Sequence, residues 1–186
     1  MTADEHAVEK VIRERRTSLL VDRDAPVPDD LVDRLIDAAT WAPNHKRTWP
    51  WRFTVVSGDS RGRLGRAMAD AGSGLGLDPA KVEKLPTKYE RSAVILLVWV
   101  HLDGDEVRRR EDRDATAAAV QNLLLTATAH GLGNYWATVP DALVPAVRAT
   151  ANVGDDHDLV ALVYLGWPTG AVAVPERPRP AVTHLR

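Results

Sequence analysis

The stretch from residue 115 to residue 140 contains no charged side chain, and it constrains the fold more than any other feature of the chain. Its length suggests a membrane span, but it carries amides, threonines and a histidine, and Gly131 and Gly133 interrupt it. Such a segment is too polar, and is broken too early, to cross a bilayer. We therefore predict a buried, alanine-rich helix over about 112–130 that ends at the two glycines.

Two other runs are continuously apolar, residues 93–100 and residues 159–165, and they predict strands that are buried on both faces. Weaker strand patterns cover 52–56 and 134–138. Helical patterns cover 4–15, 28–43, 59–71, 78–85 and 141–150. Because there is no internal repeat and no second core, we expect residues 1–186 to form one α+β domain. A helix that is apolar nearly all round needs more cover than one small sheet supplies, which favours a homodimer.

The composition excludes several classes of function. The chain of 186 residues has no cysteine, so disulfides, thiolate metal sites, iron–sulfur clusters and a cysteine nucleophile are excluded, and any redox chemistry needs a bound cofactor. A net charge of -2 gives no field that would attract nucleic acid or anionic lipid. The polar, acidic start of the chain is unlike a secretory signal, so we expect the cytoplasm.

Two further patterns are interpreted as structural. The acidic cluster around His157 (residues 155–158) could suggest a metal site, but the histidines elsewhere in the chain lack metal-type spacing, so a polar turn before a strand is the favoured interpretation and no metal site is expected. Gly72–Gly76 has a G-x-G-x-G appearance but follows a helical pattern, so it lacks the context of a dinucleotide-binding loop. We expect a flexible break there, with a mobile lid and simple disorder both open.

The segment from residue 41 to residue 53 carries the strongest functional signal. Three indoles, two prolines, Asn44 and His45 stand between a helical pattern and a strand pattern. Indole and imidazole rings offer stacking faces and hydrogen-bonding edges to a flat, conjugated ligand. The alternative is a proline-rich helix end whose tryptophans fill the core. The residues alone support the two interpretations equally.

Three other groups of residues could bind a ligand. Arg15, Arg16 and Thr17 at a helix end could bind phosphate, although most arginine pairs are solvated. Glycines before Trp136 could let the backbone approach a ligand that the indole covers, or they could merely end a helix. Proline could present the cations of residues 177 and 179 to an anion, or the tail could be an exposed basic segment.

Taken in order, these segments resemble the FMN-dependent nitroreductase family, especially its short members. The matching pieces are Arg15-Arg16-Thr17, Ala42-Pro43-Asn44-His45-Lys46, Pro50-Trp51-Arg52-Phe53, the alanine-rich segment 118–125, Gly131-Leu132-Gly133-Asn134-Tyr135-Trp136 and Tyr164-Leu165-Gly166-Trp167-Pro168. The resemblance covers nearly the whole chain. It implies a nitroreductase-like α+β fold: a mostly antiparallel central sheet flanked by helices, a long buried core helix, and an extended tail that reaches a partner subunit.

The resemblance also implies an activity and a cofactor. The expected protein is an oxidoreductase that takes hydride from NADH or NADPH and reduces nitroaromatics, quinones or related acceptors with ping-pong kinetics. FMN would lie at the interface of a homodimer. Relatives with the same fold that modify flavin, dehalogenate or dehydrogenate keep a second enzymatic interpretation open, and a non-catalytic flavin-binding module is a third. A cofactor-free interaction protein is a fourth.

The resemblance assigns roles to thirteen residues. Phosphate and ribityl contacts would come from Arg15, Arg16 and Thr17. The other subunit would contribute Trp41, Pro43, Asn44, His45 and Trp49. The ring edge would be lined by Trp136, Ala137 and Thr138. The tail would bring Arg177 and Arg179 near the phosphate. His45 is the one candidate catalytic side chain, as a hydrogen-bond or proton donor to the acceptor.

Several residues depart from the family pattern. Leu19 and Leu20 stand where many members have Ser or Arg, Trp49 replaces a common Gln, and Trp41 stands where some short members have Arg. These differences bear on the range of substrates more than on FMN binding, because an additional indole would narrow the space above the flavin.

Overall fold

A four-stranded antiparallel sheet organises the fold. The computed structural model describes the backbone of residues 3–186 and the side chains from residue 7 onward. The strands are β1 (Trp51–Ser57), β2 (Val94–His101), β3 (Gly133–Ala137) and β4 (His157–Gly166), and their order across the sheet is β1-β2-β4-β3. All neighbouring strands pair antiparallel, as expected from the resemblance.

Helices cover both faces of the sheet. They are α1 (Ala3–Glu14), α2 (Asp29–Thr40), α3 (Ser60–Gly74), α4 (Pro79–Val82), α5 (Leu85–Lys88), α6 (Glu106–Ala129) and α7 (Val144–Ala151). One core lies between the sheet and helices α2 and α6, and a second lies between the sheet and helices α3, α5 and α7. Strand β2 contributes to both, since Leu96 and Val98 face the first core while Ile95 and Leu97 face the second. The prediction of a strand buried on both faces is confirmed.

Helix α6 is the long core helix that the uncharged stretch predicted. From Ala115 to Thr128 its side chains are buried or half-buried, except that of Gln121. The helix begins earlier than predicted, at Glu106, because the carboxylate of Asp105 caps it by accepting from the Arg108 backbone N–H at 2.9 Å. The first two turns of the helix therefore consist mostly of charged residues that precede the uncharged stretch.

The predicted flexible break at Gly72–Gly76 is wrong in its first half. Helix α3 continues through Gly74, and Gly72 is buried where an added Cβ would lie 3.1 Å from Val82 Cγ2. Gly72 therefore serves close packing of α3 on α4, and within residues 72–76 it is Gly76, with φ +67°, that adopts the left-handed conformation favouring glycine. The short helix expected over 78–85 consists of two segments, α4 and α5, because Pro86 lies in the first turn of a new helix.

The C-terminal segment from residue 171 has no regular secondary structure and is exposed throughout, as expected of the extended tail that the resemblance implies. Within the part of the chain that is described, no helix is long and apolar enough to span a membrane. Nor do the described side chains include a cluster of His, Asp and Glu that could hold a metal ion.

Candidate cofactor site

The end of helix α1 concentrates positive charge. Burial lowers the pKa of Arg15, and the neighbouring cations Arg177 and Arg16 lower it further. Among the side chains that the structure describes, none of these three guanidiniums has a carboxylate within 4 Å. Arg16 donates to the Arg15 carbonyl at 2.8 Å, while its Nε is buried without a partner. Three cations without a counter-ion suit a phosphate group.

The predicted phosphate segment lies beside strand β3. Thr17 forms a parallel bridge with Asn134, and the Ser18 N–H donates to the Asn134 carbonyl at 2.9 Å. Asn134 is buried, and its amide donates to Thr128 Oγ1 of helix α6 at 3.1 Å. The Arg15–Thr17 segment and the β3 segment, far apart in sequence, therefore meet at one edge of the sheet.

Glycines make this approach possible. An added Cβ at Gly133 would lie 2.6 Å from Val21 Cγ1, and one at Gly166 would lie 3.0 Å from Val21 Cβ. The chain after Thr17 can cross the end of the sheet because both positions lack a side chain. A cavity of about 270 Å³ remains there, and its lining includes Arg16 and Ser18.

The other predicted β3 residues follow along the same edge. Trp136 is 37 % exposed, and with Ala137 and Thr138 it lines a cavity of about 280 Å³. Side chains two residues apart on a strand share a face, so the indole of Trp136 lies on the same face as the Asn134 amide. An ion pair between Arg113 and Asp158, 2.7 Å apart, also lines the cavity. Sequence analysis missed this pair because its members are 45 residues apart.

The bend formed by residues 44–49 has an unusual backbone. Lys46, Arg47 and Trp49 all have positive φ angles, of 59°, 54° and 48°. Non-glycine residues adopt this region rarely and at a cost of about 1–2 kcal/mol each. The Asn44 side chain helps to hold the bend, because its Oδ1 accepts from the Trp49 N–H at 2.8 Å.

Asp112 of helix α6 anchors the bend through hydrogen bonds to two of its side chains. Its buried carboxylate accepts hydrogen bonds from the Thr48 hydroxyl and, at 3.4 Å, from Asn44 Nδ2, and Arg108 lies 3.7 Å away. Sequence analysis did not single out Asp112, which lies in a run of charges. One signal could have found it: Asp112 is spaced three and seven residues before Ala115 and Ala119 on the buried stripe of α6.

The tryptophans of the 41–53 segment divide between the two interpretations of it. Trp51 packs against the core, as the structural interpretation expected. Trp41 is 80 % exposed and Trp49 is 59 % exposed, so neither fills the core of its own chain. Pro43 and His45 are also exposed, so this side of the bend is free to contact another molecule.

Within one chain, the bend and the basic end of α1 do not come together. The bend is tied to Asp112 of α6, whereas the partner of Thr17, Asn134, is tied to Thr128. Sixteen residues of helix separate these anchors, about 24 Å. The sheet gives a similar value: Trp51 and Asn134 lie at opposite edges and opposite ends, about 14 Å apart across the strands and about 20 Å along them.

Arg177 lies near Arg15 of its own chain, and the structure records no contact of Arg179 with the other predicted site residues. The residues present fit a phosphorylated aromatic cofactor. Unpaired guanidiniums suit the phosphate, a buried Arg16 Nε lacks an acceptor, and exposed indoles suit a flat ring.

Comparison with known proteins identifies the family and the fold of this chain. The sequence profile of the Nitroreductase family matches residues 12–167. YdjA of Escherichia coli (strain K12), a candidate NAD(P)H nitroreductase, is 28 % identical over 184 residues, which cover 96 % of this chain and 99 % of YdjA. The crystal structure of a nitroreductase-like protein from Bacillus cereus superposes with a TM-score of 0.82 at 26 % identity, covering 92 % of this chain and 91 % of that one.

A nitroreductase from Bacteroides fragilis NCTC 9343 with bound FMN has the same fold, with a TM-score of 0.75 at 21 % identity. The superposition covers 96 % of this chain and 98 % of that one. This chain belongs to the Nitroreductase family. The predicted family, fold and enzyme class, a flavin-dependent NAD(P)H oxidoreductase, are confirmed.

Proposed function

We propose that this chain is one FMN-binding domain of a cytoplasmic homodimer that uses NADH or NADPH to reduce nitroaromatics, quinones or related acceptors. Family membership supports the enzyme class. The separation between the bend and the basic end of α1 supports a site shared between two chains. The bend and the basic end of α1 would each supply half of a flavin site, and a second chain is the simplest source of the other half.

Exposed apolar residues on α1 and in the tail support the same assembly. Val8 and Ile12, four residues apart on α1, are 63 % and 50 % exposed, and Val174 of the tail is 74 % exposed. Apolar side chains at this spacing form a stripe that is normally covered by another surface. In the proposed dimer the partner covers α1 and the exposed side of the tail, which lies beside α1 of its own chain at Val174 and Arg177.

The residues of the chain would divide the work of catalysis. The chemistry that FMN supplies when bound is hydride transfer from NAD(P)H to an acceptor in two alternating half-reactions. Arg15, Arg16 and Thr17 would hold the phosphate and ribityl chain, and Trp136 would cover one edge of the ring. The bend of the partner would exclude water with Trp41 and Trp49, and His45 would donate a proton or hydrogen bond to the acceptor.

The direct test is a visible spectrum of the purified protein, followed by addition of NADPH without oxygen. A bound flavin spectrum that bleaches with NADPH and returns with a nitroaromatic or quinone supports the proposal. Bound flavin that neither NADH nor NADPH reduces would support a binding module instead. Destruction of the flavin under oxygen would support the flavin-modifying alternative. A protein that stays colourless with added FMN would exclude all of these flavin-dependent functions.

Replacement of Arg15 tests the phosphate site. Arg15→Ala should weaken FMN binding about 10- to 100-fold, because it removes a charge-assisted contact. Arg13→Ala is the matched control on the same helix, since Arg13 pairs with exposed Glu9 at 3.0 Å and such pairs contribute little. Flavin dissociation constants measured by fluorescence should separate the two variants, and equal constants would contradict the assignment.

A further inference from the structure

A cavity of about 430 Å³ lies on the opposite side of the sheet from helix α6. Helices α4 and α5 and the turn after β3 enclose it, and its walls are apolar: Leu77, Val82, Leu85, Pro140 and Leu143. The volume is within the range of small-molecule sites, about 300–1,000 Å³. None of the thirteen residues expected to hold FMN lines it.

The rim of this cavity is positively charged. Lys81, Lys84 and Lys88 line it, and they are three of the five lysines in a chain whose positive charge comes mainly from arginine. None of the three has a carboxylate within 4 Å among the side chains described. The single acidic lining residue, Asp78, caps helix α4 by accepting from the Ala80 N–H at 3.0 Å.

Lys88 is the most enclosed of the three ammonium groups. It lies 5.6 Å from the centre of the Tyr89 ring, and burial, with a smaller contribution from Arg91, lowers its pKa. A cation that loses solvent without gaining an anion raises the free energy of the folded protein, and an anionic ligand would remove that cost.

We propose that this cavity binds an organic carboxylate with an apolar body, such as a medium-chain acyl carboxylate. The apolar walls would bury the body, and the rim of lysines would bind the carboxylate. Lysine suits this role because its ammonium group is a compact charge with three rotatable donors. Pro140 lines the cavity and lies two residues after Thr138, but the cavity opens on the opposite face of the sheet from the Trp136 indole, so the ligand would share no residue with the proposed flavin edge.

The test is a titration of the flavin-loaded protein with sodium octanoate, followed in amide proton–nitrogen correlation spectra. Saturable shifts are expected at Val82, Leu85 and Leu143. Octanol, which has the same body without the charge, should bind about tenfold more weakly. The triple variant Lys81→Gln/Lys84→Gln/Lys88→Gln should weaken octanoate about tenfold and leave octanol unchanged.

Two controls keep the result specific. Lys10→Gln removes an exposed lysine that pairs with Glu14 on α1, and it should leave octanoate binding unchanged. Lys84→Gln alone, at an exposed position, should give a smaller loss without any risk to folding. Equal affinity for octanoate and octanol, full affinity in the triple variant, or shifts confined to other parts of the protein would each overturn the proposal. The flavin spectrum of the same samples reports separately on the proposed function.

Discussion

At the scale of single residues, the second core contains an aromatic group whose ionisation matters for stability. Tyr89 is 2 % exposed and stacks on Tyr164, with ring centres 6.3 Å apart. Burial raises the pKa of Tyr89 to about 12, and burial also raises that of Tyr164, whose hydroxyl is buried without a hydrogen-bond partner. Neither hydroxyl can ionise without a large penalty in the folded protein.

This predicts a loss of stability at high pH. Above pH 10 an unfolded chain loses the tyrosine proton that the folded chain keeps up to about pH 12. Stability that is complete below pH 10 is therefore lost as the pH rises to 12, by up to about 3 kcal/mol for Tyr89. Urea unfolding of the wild type and Tyr89→Phe between pH 9 and pH 12 measures this. The variant should lose less stability over that range, and parallel pH profiles would contradict the assignment.

At the scale of elements, α3 is held against the following segment by glycines. An added Cβ at Gly65 would lie 2.6 Å from the Leu85 carbonyl oxygen and 2.9 Å from Pro86 Cα. These are backbone atoms, which cannot rotate away as a side chain can. At Gly74, in the last turn of the same helix, an added Cβ would meet nothing within 4 Å.

The two glycines predict opposite effects of the same substitution. Gly65→Ala should destabilise the protein by about 1–3 kcal/mol or more, because the backbone of α5 would have to move. Gly74→Ala should be neutral or should stabilise it by up to about 1 kcal/mol, because alanine favours a helix. Thermal unfolding of both variants is the measurement. A stable Gly65→Ala would show that α5 can move away from α3.

The conformation of the bend formed by residues 44–49 can also be tested. Its positive φ angles persist because Asp112 and Asn44 hold Thr48 and the Trp49 backbone. Asp112→Ala should therefore increase amide hydrogen exchange at Trp49 about tenfold or more, since it removes a buried acceptor worth about 1–3 kcal/mol.

A matched control for the bend is Asp114→Ala. Asp114 lies two residues further along α6 and is exposed, so its removal should leave exchange at Trp49 unchanged. If the Trp49 amide exchanged equally fast in Asp112→Ala and Asp114→Ala, contacts other than those of Asp112 would have to hold the bend.

At the scale of the whole molecule, the proposed site predicts complementation between two defective chains. Arg15→Ala damages the half-site on α1, and Asn44→Ala damages the half-site on the bend. If each flavin contacts α1 of one chain and the bend of the other, a mixed dimer contains one intact site and one doubly damaged site. Co-expressed chains carrying different affinity tags should therefore recover about half of the wild-type flavin content per dimer.

A site built within one chain gives the opposite result. Each chain of the mixed dimer would then carry one damaged site, and no flavin binding would return. The two homodimeric variants serve as controls and should bind little flavin. The outcome distinguishes a shared site from an internal one even if the physiological acceptor is different from those tested.

The sequence by itself determined the elements of the fold. The uncharged stretch and the two continuous apolar runs predicted α6, β2 and β4, because burial on all sides leaves no position for a charged residue. The ordered motifs also predicted the family. The ends of the helices were less predictable, because capping and packing decide them. The Asp105 cap made α6 begin earlier than predicted, and close packing at Gly72 kept that residue within α3.

The tertiary structure alone decided which residues are neighbours. Asp112 meets Thr48 across 64 residues, and Thr17 meets Asn134 across a still longer separation, because pairing in the sheet and packing on α6 act between segments remote in sequence. It also decided that Trp51 packs against the core while Trp41 and Trp49 are exposed. Spacing along the chain encodes which face of an element is buried, but only the folded arrangement fixes what that face contacts.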